Sequence, residues 1–303
     1  MTRRGLLLFA AMSVVWGIPY LFIRIAVAEI SPATLAFGRT AIAALLLLPV
    51  ALLSVDLRPV LERWRWLLVF AAVEIGLPWV LIGSAEQRVS SSLTGLLVAG
   101  VPLVGTVFAA ATRSRDRVGR AGLAGLLFGL AGVGAIVGFN VGAATWIAVV
   151  EIALVVIGYA LGPVILARRL NGLSSLGVMA LSLTVCTIAY APFATVQWDR
   201  TVPSRQVLAS VAVLGVVCTA IGFILFSKLI EEIGPVRATV ITYVNPAVAA
   251  LLGVLVLQET FTVAMGAGFV LVVAGSALAT RPPPKREPVP ALVPDVPISE
   301  TGS

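Results

Sequence analysis

Four charged residues stand inside otherwise apolar runs of this 303-residue sequence: Arg24, Arg39, Glu74 and Glu151. A charge near the centre of a bilayer costs at least about 2.5–3.5 kcal/mol on insertion scales, so each needs a partner or water. Glu74 lies deepest and is the candidate for coupling to protons or sensing a cation. Arg39 lies a few residues nearer one surface, in reach of pairing with either Glu74 or Glu151. Arg24 is close enough to the surface to snorkel, its stem in lipid and its head in water.

The prolines inside these runs mark a second kind of chemistry. A helical proline cannot donate to the carbonyl four residues back, and in lipid that carbonyl needs another donor or a wet cavity. Pro19 frees Val15 beside Trp16, Pro78 frees Glu74, Pro163 frees Tyr159 and Pro246 frees Thr242. Pro19, Pro78, Pro102, Pro163 and Pro246 are therefore expected hinges or helix breaks. Trp16, Glu74, Trp79, Tyr159, Thr242, Tyr243 and Asn245 are expected around a bound solute, with Asn245 and Thr242 on one helical face. The competing reading is structural: the prolines kink helices for packing and the rings fill the core.

Catalysis has little to work with. The sequence has no histidine, which removes HExxH metal sites and Ser-His-Asp triads, and it has neither a GxSxG elbow nor a GxxxxGK[ST] phosphate loop. No catalytic residue, cofactor or metal site is expected. Cys186 and Cys218 stand alone in apolar surroundings as small core residues.

The elements that must position these groups are membrane helices. At 59% hydrophobic and 12% charged, the chain has too little polar surface for a water-soluble domain. Ten apolar runs are long enough to cross a bilayer: 5–28, 32–54, 66–86, 90–111, 119–139, 146–168, 174–196, 206–230, 236–258 and 263–280. Short connections make successive helices antiparallel neighbours in an all-α bundle. The proline-rich stretch 281–303 is expected to be a disordered cytoplasmic tail. The Ala-Val-Ala at 26–28 is read as the end of the first helix rather than a signal-cleavage site.

The net charge of +7 reports topology and not a nucleic-acid partner. With both termini on one side, sixteen of the 21 Lys and Arg fall in loops and tails on that side, and only Arg88, Arg200 and Arg205 on the other. That bias places both termini in the cytoplasm of a multi-pass inner-membrane protein.

The chain is also written twice. A shift of 144 carries Pro19 onto Pro163 and Pro102 onto Pro246, and a shift of 143 carries Pro49 onto Pro192. Residues 1–140 and 141–280 form two five-helix repeats, and an odd helix number makes the second enter the membrane from the opposite side. Such inverted repeats are the architecture of secondary transporters. A channel or scaffold, and least of all an intramembrane enzyme, are the alternatives. The GxxxG spacings at Gly125 and Gly129, and at Gly134 and Gly138, allow close helix approach without requiring a dimer.

The order of "WGIPYLFIRIA", Arg39 in "LAFGRTAIAALLLLP", "SAEQRVSSSLTGLLVAGVPLVGTVFA", "IGYALGPVILARRL" and "EEIGPVRATVITYVNPAVAALLGVLVLQETFT" resembles the EamA-type transporters of the drug/metabolite transporter superfamily. The resemblance implies ten helices in two repeats and export of amino acids, related metabolites or toxic organic compounds. The implied partners are a small organic solute and the lipid bilayer, with protons as a candidate coupling ion. It also implies a glutamate, Glu259, at the outer end of the ninth helix, where it would cap the start of the tenth. The first repeat departs there, with Arg113, Ser114, Arg115 and Asp116 instead.

Overall fold

The computed structural model describes residues 2–112, 120–138, 143–197, 202–234, 238 and 240–279. Helix is the only regular structure among them, as lipid demands of a chain that must satisfy its own backbone. In chain order the helices are α1 (Arg3–Val15), α2 (Pro19–Ala26), α3 (Pro32–Ser54), α4 (Arg58–Glu62), α5 (Trp64–Phe70), α6 (Leu77–Glu86), α7 (Ser91–Val98), α8 (Val101–Thr112), α9 (Arg120–Val137), α10 (Ala143–Arg169), α11 (Ser175–Val196), α12 (Arg205–Val213), α13 (Gly222–Ile233), α14 (Ile241–Leu257) and α15 (Val263–Ala279). Several join end to end. Seven of the resulting rods are long and apolar enough to cross a membrane, and three shorter apolar helices accompany them, at Gly122–Val137, Ile241–Leu257 and Val263–Leu278. The expected tail at 281–303 and most of the basic loop at 113–119 lie outside the described residues.

Serine starts many of these helices, accepting from a backbone N–H that has no intrahelical partner. Ser31, Ser90, Ser174 and Ser204 accept from Thr34, Leu93, Gly177 and Val207 respectively. Two π-helical turns interrupt the rods, Ala71–Gly76 between α5 and α6, and Leu214–Ile221 between α12 and α13. Their first residues stand 143 apart, the offset already seen in Pro49 and Pro192, although no local pattern announced them. Packing follows the same correspondence: α3 lies against the second π turn and α11 against the first, while α3 and α11 lie against each other.

The prolines divide into two groups. Helix breaks precede Pro19, the first residue of α2, and Val101–Pro102, which open α8 after a turn at Ala99 and Gly100. Pro78 opens α6 directly after a π turn. The interruptions expected at Pro163 and Pro246 are absent, since α10 and α14 continue through them. One missing N–H leaves the turns on either side fully bonded, so such a proline need not end the helix.

Glycine governs the tightest contact, between α9 and α15. A Cβ on Gly132 would stand 2.6 Å from the Gly268 carbonyl, and one on Gly275 would stand 2.5 Å from that of Gly125. The small residues of α9 thus serve packing within the chain. Gly134 and Gly138 face open space instead.

Candidate functional site

Arg39 projects from the middle of α3 and is 9% exposed. Its Nε donates to Thr219 Oγ1 at 2.9 Å, and its guanidinium carbon stands 3.6 Å over the Trp79 ring. The π turn presents that hydroxyl: Thr219 Oγ1 itself donates to the Leu214 carbonyl, five residues back, at 2.8 Å. Tyr20, Tyr159, Tyr190 and Cys218 lie within electrostatic reach of the guanidinium. The pairing expected with Glu74 or Glu151 is absent, because an aromatic face and a hydroxyl occupy the near positions. A ring under a desolvated cation offers about 2 kcal/mol and a charged hydrogen bond about 1.5–3 kcal/mol, comparable with the insertion cost of the charge.

Glu74 lies in the first π turn, half-buried, with Oε2 sheltered and without a hydrogen-bond partner among the described residues. It rests against α10 where Gly162 supplies no side chain; a Cβ there would overlap the carboxylate. The π turn's carbonyls are served from α11. Tyr190 Oη donates to Gly76 O at 2.5 Å and Cys186 Sγ to Ala71 O at 3.5 Å. Tyr159 on α10 joins the two charged groups, lying beside Trp79 and within electrostatic reach of both Arg39 and Glu74. Arg39, Glu74, Trp79 and Tyr159 therefore form one cluster, to which the structure adds Tyr20, Tyr190, Cys218 and Thr219. Sequence reasoning missed Tyr20, Tyr190 and Thr219, and read Cys218 as core, because helix packing rather than any local motif brings them to Arg39.

Trp16 and Asn245 are engaged between α1, α13 and α14. Trp16 packs on Phe223 and Phe226, with centroids 5.9 Å and 4.6 Å away, in an apolar cluster with Met12, Leu229, Ala238 and Ile241. Asn245 holds α14 to α1: in the amide orientation that satisfies both partners, its nitrogen donates to Ser13 O at 3.1 Å and Ile241 O at 3.0 Å. Thr242 and Tyr243 are partly buried near the start of α14.

A second set of carboxylates, Glu151, Glu86 and Glu259, stands apart from the Arg39 cluster. Glu151 accepts from Ser84 Oγ at 2.7 Å and pairs with Arg88 at 3.1 Å, so it is a partner for a rim arginine rather than for Arg39. Arg24 does not snorkel free; its Nη1 donates to the Glu86 carbonyl. Glu86 itself is fully buried, with neither carboxylate oxygen bonded among the described residues. Standing last in its apolar run, it reads from sequence only as a boundary.

Glu259 does not cap the tenth helix. Thr262 Oγ1 accepts the Met265 N–H there. The chain reverses at Gln258, whose φ is 54°, and the Glu259 carboxylate reaches across to the start of α7. It accepts from Ser91 N and Oγ at 2.8 and 2.9 Å and from Ser92 N and Oγ at 2.9 and 2.6 Å. The positive end of a helix and two hydroxyls make this a strong anion seat. Burial pushes the Glu259 carboxyl up, but the Ser92 and Ser91 hydrogen bonds outweigh it and hold the group below the usual carboxylate range. Glu29, in the turn after α2, likewise accepts from Ser204 N at 2.8 Å, and that bond lowers its pKa. Among the described residues no group of three or more His, Cys, Asp or Glu could hold a metal ion.

Comparison with known proteins places this arrangement. The model of the EamA-like transporter family matches twice, at residues 3–138 and 146–281. The chain is 26% identical over 285 residues to the "Uncharacterized transporter YvbV" of Bacillus subtilis, spanning 91% of each chain. It is 30% identical over 253 residues to the "Uncharacterized inner membrane transporter YedA" of Escherichia coli K12, spanning 80% of this chain and 79% of that one. A solved crystal structure superimposes with a TM-score of 0.65 at 21% identity, covering 92% of this chain and 97% of its own, which is a likeness of fold.

Proposed function

The chain belongs to the EamA-like transporter family, and on that premise we propose that it is a secondary transporter exporting amino acids or similar small organic metabolites across the inner membrane by alternating access. In this reading the seven long spans and three shorter helices make ten crossings. Residues 1–140 and 141–280 are inverted repeats and both termini face the cytoplasm. The observation that carries it is the cluster of Arg39, Trp79, Tyr159 and Glu74, gathered beside two π turns placed 143 residues apart. Paired irregular segments around polar groups at the middle of a bundle suit a site that opens to alternate sides. Glu74, with Oε2 sheltered and unbonded, is the proposed proton carrier; Glu151, paired to Arg88, is assigned to the rim.

The test is counterflow in proteoliposomes. A transporter exchanges labelled for unlabelled solute with saturation and stereoselectivity. Conductance without saturation indicates a channel, and flux absent for every member of a broad panel of amino acids, amines and organic acids sinks the proposal.

A further inference from the structure

Arg39 is a guanidinium inside a membrane-crossing helix with no carboxylate of the described residues paired to it. The ionisable groups within its electrostatic reach are Cys218, Tyr159, Tyr190 and Tyr20. Acidic groups elsewhere are engaged otherwise or lack a cation altogether: Glu151 holds Arg88, Glu259 holds Ser91 and Ser92, and Glu74 Oε2 is unbonded. Only Nε is bonded, to Thr219. The two terminal nitrogens carry no hydrogen bond to the described residues, yet neither is among the sealed, unpartnered polar atoms. Those nitrogens are thus unbonded without being fully sealed, in a residue only 9% exposed overall. Trp79 closes one face of the guanidinium plane, which leaves its edge as the free, pre-oriented surface.

Resting on the transporter reading, we propose that Arg39 is the recognition group for a carboxylate that the solute bears. Two parallel N–H donors match the two oxygens of a carboxylate. A phosphate dianion would need a second cation, and Arg24, the other arginine within a span, is spent on the Glu86 carbonyl. The body of the solute lies against Trp79 and the surrounding tyrosines, whose rings favour apolar or aromatic groups. The Thr219 hydroxyl fixes the guanidinium in its plane, so the second π turn is what orients the site.

Matched acids and amides test this directly. Purified protein is titrated with phenylacetate and phenylacetamide, with L-phenylalanine and L-phenylalaninamide, and with inorganic phosphate, following thermal stabilisation and calorimetric heat. An acid binds while its amide does not, Arg39→Gln weakens that binding about tenfold or more, and Arg39→Lys restores part of it. Unchanged elution and unfolding temperature of Arg39→Gln show that the variant folds. Equal binding of acid and amide, full binding by Arg39→Gln, binding of phosphate alone, or binding of no acid each overturns the assignment. Counterflow keeps the two readings apart. Saturable exchange of a solute without a carboxylate that survives Arg39→Gln removes the carboxylate site and leaves a transporter, whereas acid binding lost in Arg39→Gln without counterflow of any solute removes the transporter and leaves the carboxylate site.

Discussion

The carboxylate of Glu259 is predicted to clamp two ends of the bundle, and replacing it by glutamine measures the clamp. The wild-type group accepts four hydrogen bonds of 2.6–2.9 Å from Ser91 and Ser92. A glutamine offers one carbonyl in place of two carboxylate oxygens, and its amide nitrogen points a donor at donors. Two bonds are lost, one of them leaving a backbone N–H at the start of α7 without a partner. Each net hydrogen bond to a charged group is worth about 1.5–3 kcal/mol and the helix-terminus charge about 0.3–1 kcal/mol. Because the site is partly exposed, screening brings the expected loss to about 2 kcal/mol, or about 3 °C of unfolding temperature for a chain of this size. Thermal unfolding in detergent checks the value. The pH dependence has a definite sign. The folded Glu259 carboxyl lies below its usual range, so its stabilisation is complete above the unfolded value of about 4.3 and is lost as pH falls through the folded value. Wild type and Glu259→Gln should therefore converge in stability in acid. Identical unfolding temperatures near neutral pH, or a gap that widens in acid, would refute the reasoning.

Gly253→Ala tests the same clamp from the other side. Its Cβ would stand 3.0 Å from Ser91 Oγ and overlap Ser92 Oγ and the Glu259 carboxylate; the expected loss is about 1–3 kcal/mol, and the double variant with Glu259→Gln should lose less than the sum. Asn245→Ala removes the tie from α14 to the Ser13 carbonyl and should cost about 1 kcal/mol of stability, while leaving solute affinity in the folded fraction unchanged when measured by calorimetry. Glu74→Gln should abolish pH-driven uptake into proteoliposomes and spare solute exchange, and unaltered pH dependence would remove Glu74 from proton coupling.

Membrane residence and helix positions were legible because they are local. An apolar run of sufficient length can only be a helix in lipid, whatever surrounds it. Serine before such a run marks its start at Ser31, Ser90 and Ser174 for the same local reason. The ninth run, expected to end at 258, ends as a helix at Leu257, where Gln258 turns the chain. Partners of the charged groups were not legible. Arg39 finds Thr219 180 residues away, and Glu259 finds Ser91 168 residues away, and no period or spacing encodes such distances. The π turns escaped notice because an extra residue in a turn leaves apolar composition untouched.

The sequence by itself determined that this chain crosses a membrane as helices, that its prolines recur at an offset of 143 or 144, and which few charges had to be accommodated. Those follow from the cost of unpaired backbone and bare charge in hydrocarbon, which each segment meets alone. Tertiary structure decided which charge meets which group: Arg39 a ring and a hydroxyl, Glu151 a rim arginine, Glu259 the start of a distant helix. Such choices depend on the rotation and depth of helices packed against one another, and side-chain contact over a few ångströms is fixed only when the whole bundle is assembled.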